Sequence, residues 1–266
     1  MRRPAVAGSF YPRKPEDLKR DLDAAFSGAS GSEPIPILGA VVPHAGYVYS
    51  GAVAAEVYAR LPKRETFVLI GPSHRPHLGL PVALSRDSWM TPLGVAECDT
   101  EMADALAGSI IGADESAHLQ EHSLEVQIPF LQSRFSEFKI LPICMGLQDE
   151  ETAVEVGEAV GEAAKSLNRD CTIIASSDFT HYEPQEEARR KDARLIEAIL
   201  RMDVSAVYKT VYGLDLTACG YGPISATITA SKILGAETGK LLRYSTSGDV
   251  IGDFSQVVGY GAIAFL

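Results

Sequence analysis

The strongest constraint on this chain is an alternation. Short runs too apolar to lie open on a surface are separated by longer stretches with helical spacing. The runs at 37–42 (ILGAVV), 66–70 (TFVLI), 139–144 (KILPIC), 172–175 (TIIA) and 257–265 (VVGYGAIAF) predict buried strands. Ala153, Val156, Val160, Ala163 and Leu167 recur at helical spacing with glutamates opposite, which predicts a helix over about 150–168. A second begins near Pro184 and turns Leu195, Ile196, Ile199 and Met202 inward; a third, at about 220–234, turns Ile224, Ile228 and Ile233. Residues 123–135 also read as helical through Leu124, Ile128 and Leu131, with Pro129 expected to kink or break them. Strands alternating with helices predict an α/β fold, a central mixed β-sheet with helices on both faces. The most linker-like stretch, 28–34, lies too near the N-terminus to divide the chain, so one domain over 1–266 is expected.

A formal charge of −11 repels phosphate backbones, so no nucleic-acid partner is expected. The basic cluster Arg189–Arg190–Lys191 follows Glu186 and Glu187 and reads as a solvated helix face. No apolar run approaches the ~18 residues that span a bilayer, and the N-terminal stretch lacks the apolar core of a secretory signal, so no membrane partner is expected. Cys98, Cys144, Cys171 and Cys219 are widely separated and form no CxxC pair. That pattern excludes a zinc ribbon and a disulfide scaffold, and places the chain in a reducing cytoplasm. Cys98, Cys144 and Cys171 sit in or beside strand patterns and read as packing residues.

The chemistry gathers where strands end. His44, His74 and His181 each fall within a few residues of a predicted strand's carboxyl end, in VVPHAGYVYSG, VLIGPSH and TIIASSDFTH. Ligands of open α/β sheets bind beyond those ends, so loops distant in sequence can converge there. Any one of these histidines reads more simply as a satisfied loop residue; three in equivalent positions point to a shared polar site. Cys219, in TACGYGPIS, precedes a predicted helix whose N-terminus would lower its thiol pKa, although a cysteine simply packed beside glycines is, narrowly, the better reading of the sequence alone. Asp178 reads as a turn residue or as the group that orients His181. Tyr47 and Tyr49 follow His44 on the same predicted loop, as pocket wall or substrate-binding groups, or as simple packing. His77 and His118 read as exposed.

The segments GSFYP, PHAGYVYSG, GPSH, EHSLEVQIPFL, SSDFTHY and CGYGPI occur in this order along nearly the whole chain. Together they resemble the Memo family, also called component B of the AmmeMemoRadiSam system. The resemblance implies a fold shared with class III extradiol ring-cleavage dioxygenases, which hold non-haem Fe(II) at the carboxyl edge of a sheet. It implies His44, His74 and Cys219 as metal ligands, His181 and Asp178 as catalytic groups beside the metal, and His122 lining the pocket. Two departures stand out: many relatives read GPSHH where this chain has Arg75 after His74, and the dioxygenases use a carboxylate where Cys219 stands. Arg75 would then alter the charge seen by a substrate. Two imidazoles and an anionic donor with open positions suit Fe(II), and exchanging carboxylate for thiolate favours Cu. His181 is left as a fourth ligand or an acid–base group. The expected activity is that of an oxidoreductase acting on a small molecule; the other class is a scaffold that holds metal or peptide in the same cleft without turnover.

Overall fold

The computed structural model describes residues 1–31, 33–75 and 79–266, so His77 lies outside the described residues. Strands Gly39–Val42, Cys171–Ser176, Thr66–Pro72 and Lys139–Met145 lie side by side in that spatial order, all parallel. Apart from Lys139, every residue in these four strands is buried. Successive side chains leave opposite faces of a strand. Accordingly Ala40, Val42, Phe67 and Leu69 join a core with Leu18, Leu22, Val53, Val57 and Phe130. Their neighbours Val68, Ile70, Leu141 and Ile143 join another with Val156, Val160, Ala226 and Ala230 on the far side. Helices therefore cover both faces, and burial on both sides is why these strands read as unbroken apolar runs.

The flanks make the sheet mixed. Val257–Phe265 pairs antiparallel with Gly39–Val42 on one side and with the edge strand Gly239–Thr246 on the other. At the opposite flank Val82–Leu84 runs antiparallel to Lys139–Met145. The expected helices appear as Glu150–Ser166, Gln185–Leu200 and Tyr221–Ile233. On the second of these, Arg189, Arg190 and Lys191 pair with Asp249, Glu187 and Glu183, consistent with a charged surface face.

One local expectation is refined and two change. Pro129 marks where the segment divides rather than interrupting one continuous α-helix: a 3₁₀ turn, Glu125–Gln127, leads into helix Ile128–Arg134, with the proline in its first turn, where its missing N–H costs nothing. Tyr47 and Tyr49 belong to helix Tyr47–Tyr58, not to a loop. That helix is apolar nearly all round because it is buried against the sheet, so it carries little periodic signal. His118 is fully buried, its ring edge-on to Trp89 at 5.5 Å, because the turn carrying it folds inward onto Arg2.

Candidate metal centre

Parallel neighbours end on the same edge, so the loops leaving them meet. His44 and His74 each come two residues after a strand, and the strand between theirs runs into Ser176, Ser177 and Asp178. A third imidazole, His122, arrives from the loop before the 3₁₀ turn. That loop is fastened to the sheet where Ser123 Oγ donates to the Pro72 carbonyl and Ser176 Oγ donates to the Ser123 carbonyl. Gly71 permits the approach: a Cβ there would lie 2.7 Å from Leu124 and 2.8 Å from Ser123 Oγ. The ring centroids of His44, His74 and His122 are 4.6–5.3 Å apart. One nitrogen from each lies within 4.8 Å of the others, a spacing that can hold a metal ion.

Cys219 reaches the cluster from the start of helix Tyr221–Ile233. Its Sγ is 3.2 Å from His44 Nε2, and the Asp178 amide donates to it at 3.3 Å. Burial pushes this thiol's pKa up, so the downward pull expected of a helix N-terminus is outweighed. Asp178, also buried, accepts from the His44 amide at 2.8 Å, and burial lifts its carboxyl to about 6. It therefore holds the His44 loop; the His181 ring is oriented instead by the Thr217 carbonyl, 2.9 Å from Nδ1. Among the described residues, that contact leaves Nε2 as the ring nitrogen without a hydrogen-bond partner. The Tyr47 hydroxyl donates to the Val126 carbonyl at 2.6 Å and so is already engaged within the protein. Arg75 is exposed beside His74.

A family model described as Memo-like protein matches residues 2–264. The chain belongs to the Memo family. It is 55% identical over 264 residues to a MEMO1 family protein of Methanosarcina barkeri, covering 99% of each chain. It is 52% identical over 265 residues to a MEMO1 family protein of Archaeoglobus fulgidus, covering 100% of this chain and 99% of the relative. An uncharacterized protein of Escherichia coli K12, known from its crystal structure, shares the fold with a TM-score of 0.56 at 11% identity, covering 86% of this chain and 99% of that one.

In this Memo-family chain the hydrogen bonds around the rings decide which nitrogens are available. The single Ser176 hydroxyl proton goes to the Ser123 carbonyl at 2.6 Å, and the Gln127 side-chain amide donates to Ser176 Oγ at 2.8 Å. Ser176 Oγ must then accept from His44 Nδ1, 2.9 Å away, which leaves the lone pair on Nε2. Glu121 does the same for the other two rings. Its buried carboxylate is 3.0 Å from His74 Nδ1 and 3.2 Å from His122 Nδ1, and also accepts from the amides of His74, His122 and Ser123. Burial alone would raise the Glu121 pKa, but these donors, His74 foremost, hold it well below the usual carboxylate range. Burial drives His44 far below the ordinary imidazole value and His122 to about 4, so both are neutral at pH 7. Neutral rings with Nδ1 engaged turn the Nε2 lone pair to a metal, His44 Nε2 toward the Cys219 sulfur it already touches, and imidazoles beside a thiol suit a first-row transition ion. Glu121 carries no role in the sequence reading. Its only signal there is adjacency to His122 in the EHS segment.

Proposed function

We propose that this protein is a metal-dependent redox protein with one Fe(II) or Cu ion at the carboxyl edge of its sheet. His44, His74 and His122 supply nitrogen and Cys219 supplies sulfur beside His44. The observation that carries this reading is the convergence of three imidazoles whose outer nitrogens are taken by Ser176 and Glu121. Such an ion, when bound, supplies one-electron chemistry and open coordination positions for a small oxidant. Around it the chain's own groups have separable tasks. His181, fixed through Nδ1, presents Nε2 for proton transfer to a bound small molecule. Asp178 holds the His44 loop, and Arg75 offers a cation to an anionic substrate. The relation to extradiol dioxygenases belongs to the same proposal, with Cys219 as the point of departure.

The second reading is a scaffold that holds metal or peptide in the same cleft without turnover. Metal analysis of untagged protein purified without oxygen separates the two readings from a metal-free chain. One iron or copper ion per chain is expected, lost in His44→Ala and His122→Ala. Cys219→Ser should retain iron better than copper, because a hydroxyl is the harder donor. Oxygen uptake with catechol-type and other small reductants then distinguishes turnover from storage. Metal content unchanged in both histidine variants would reject the centre.

A further inference from the structure

The loop that carries Glu121 and His122 belongs to no strand, and the side chain that grips it comes from the far end of the sequence. We infer that Arg2 is a positioning residue for the metal centre. Its guanidinium ties this loop at two backbone points and so sets Glu121 against His74 and His122. The inference rests on the metal-site reading above.

Arg2 is almost wholly buried. Its Nε donates to the His118 carbonyl, Nη2 to the Glu121 carbonyl and Nη1 to Glu125 Oε2, each at 2.7 Å. Trp89 covers the flat face of the guanidinium, 4.0 Å from its ring centroid. Glu125 is equally fixed, accepting from the amides of Ala5 and Val6 and from the Tyr11 hydroxyl. Segment 2–11 is thereby locked to loop 118–125 through a charge pair with no solvent around it. The same segment places the Phe10 ring 4.5 Å from that of His122, and the Phe10 carbonyl accepts from the Tyr47 amide.

The consequence falls on Glu121. Arg2 holds its carbonyl from one side, while its carboxylate serves both imidazoles on the other. A small rotation of this one residue would release both rings together. A buried ion pair adds little stability over a well-packed apolar replacement, so its presence here is poorly explained by stability alone. A planar fork that reaches three acceptors in fixed directions specifies geometry, and a lysine ammonium cannot copy it.

Arg2→Lys is therefore the informative variant, since it keeps a charge opposite Glu125 but cannot reach from one nitrogen the three acceptors that three guanidinium nitrogens serve. Arg60→Lys is the control, because Arg60 bonds Ser30 and the buried Glu56 in a second, partly buried arginine–carboxylate pair that touches no proposed ligand. The probe is Co(II) added anaerobically to the full chain, with its visible absorption recorded and its affinity measured by chelator competition. Arg2→Lys should bind Co(II) roughly 10–100-fold more weakly, as for other outer partners of metal ligands, and should show an altered spectrum with native circular dichroism. Arg60→Lys should match wild type. Wild-type affinity and spectrum in Arg2→Lys would overturn the inference, and so would equal weakening in Arg60→Lys. If Arg2→Lys does not fold, the double variant Arg2→Met with Glu125→Gln decides on the same two readouts. Wild-type protein that binds no Co(II) would remove the metal-site reading itself, an outcome distinct from a failure of Arg2.

Discussion

At the scale of single residues, the centre is defined less by its three imidazoles than by what occupies their outer nitrogens. Ser176 must accept from His44 because its own proton is spent on the Ser123 carbonyl. Glu121 gathers two ring nitrogens and three amides onto one carboxylate. Losing such a partner typically costs 10–100-fold in metal affinity. Ser176→Ala is expected to weaken metal binding by about tenfold, and Glu121→Gln by more, since it loosens two rings and leaves amide donors facing a neutral group. Chelator competition on the two variants checks the order; affinities equal to wild type in both would mean that the rings orient themselves. This shell also marks where reading the sequence stops. The strand ends mark His44 and His74, whereas Cys219 enters the ligand set only through the family resemblance, because a helix start alone does not tell a ligand from a packed cysteine. Glu121 was not legible, since nothing in EHS shows a carboxylate folding back onto its neighbour's ring and onto His74. The Cys219 thiol was misjudged for a related reason: a helix end is local and readable, whereas burial depends on the Ser177–Asp178 loop 41 residues away.

The elements show the same division between local signal and tertiary override. The four parallel strands stood out as apolar runs because burial on both faces demands them, and helix Glu150–Ser166 stood out because only one of its faces is buried. Edge strand Gly239–Thr246 is half exposed and mixed in character, and Tyr47–Tyr58 is buried nearly all round, so neither offers a clean period. Helix Pro15–Ser27 has ordinary signals, a proline at its start and Leu18 and Leu22 one turn apart, and is open to the reading that found the others. One junction matters most for the site. Gly220 caps helix Tyr221–Ile233 and brings Cys219 against the loop after Cys171–Ser176; a Cβ there would meet the Ser176 carbonyl and Ser177 Cβ, both at 2.7 Å. Backbone cannot yield as a flexible side chain does, so Gly220→Ala should destabilise by about 1–3 kcal/mol. It should also lift Cys219 away from His44, raising the rate at which a thiol reagent modifies the native protein. A melting temperature and labelling rate both unchanged would show that the helix can shift without cost.

For the whole molecule, the buried imidazoles tie folding to pH, and His118 isolates the effect because it is outside the proposed ligand set. Burial, with Arg2 nearby, pushes its pKa down to about 4. An unfolded imidazole titrates near 6.5, so between roughly pH 6.5 and 4 the unfolded chain binds a proton that the native chain refuses. Native stability is therefore complete above that window and falls as pH falls through it, by up to about 3 kcal/mol for this group at one pKa unit per 1.4 kcal/mol. In metal-free protein His44 and His122, both shifted downward by burial, act in the same direction. Asp178 opposes them: its carboxyl is raised to about 6, so the native chain takes up a proton that the unfolded chain binds only near pH 4. The sum cannot be assigned from wild type alone, but the difference between wild type and His118→Gln can. Urea midpoints of the metal-free proteins, measured from pH 7 to 4.5, should fall more steeply in wild type. The gap attributable to His118 should open only below about pH 6.5 and widen toward pH 4.5, with the urea dependence itself unchanged. Parallel curves would mean that His118 is protonated in the native state at the unfolded chain's pH, and that the pocket formed by Trp89 and Arg2 exacts no penalty for its charge.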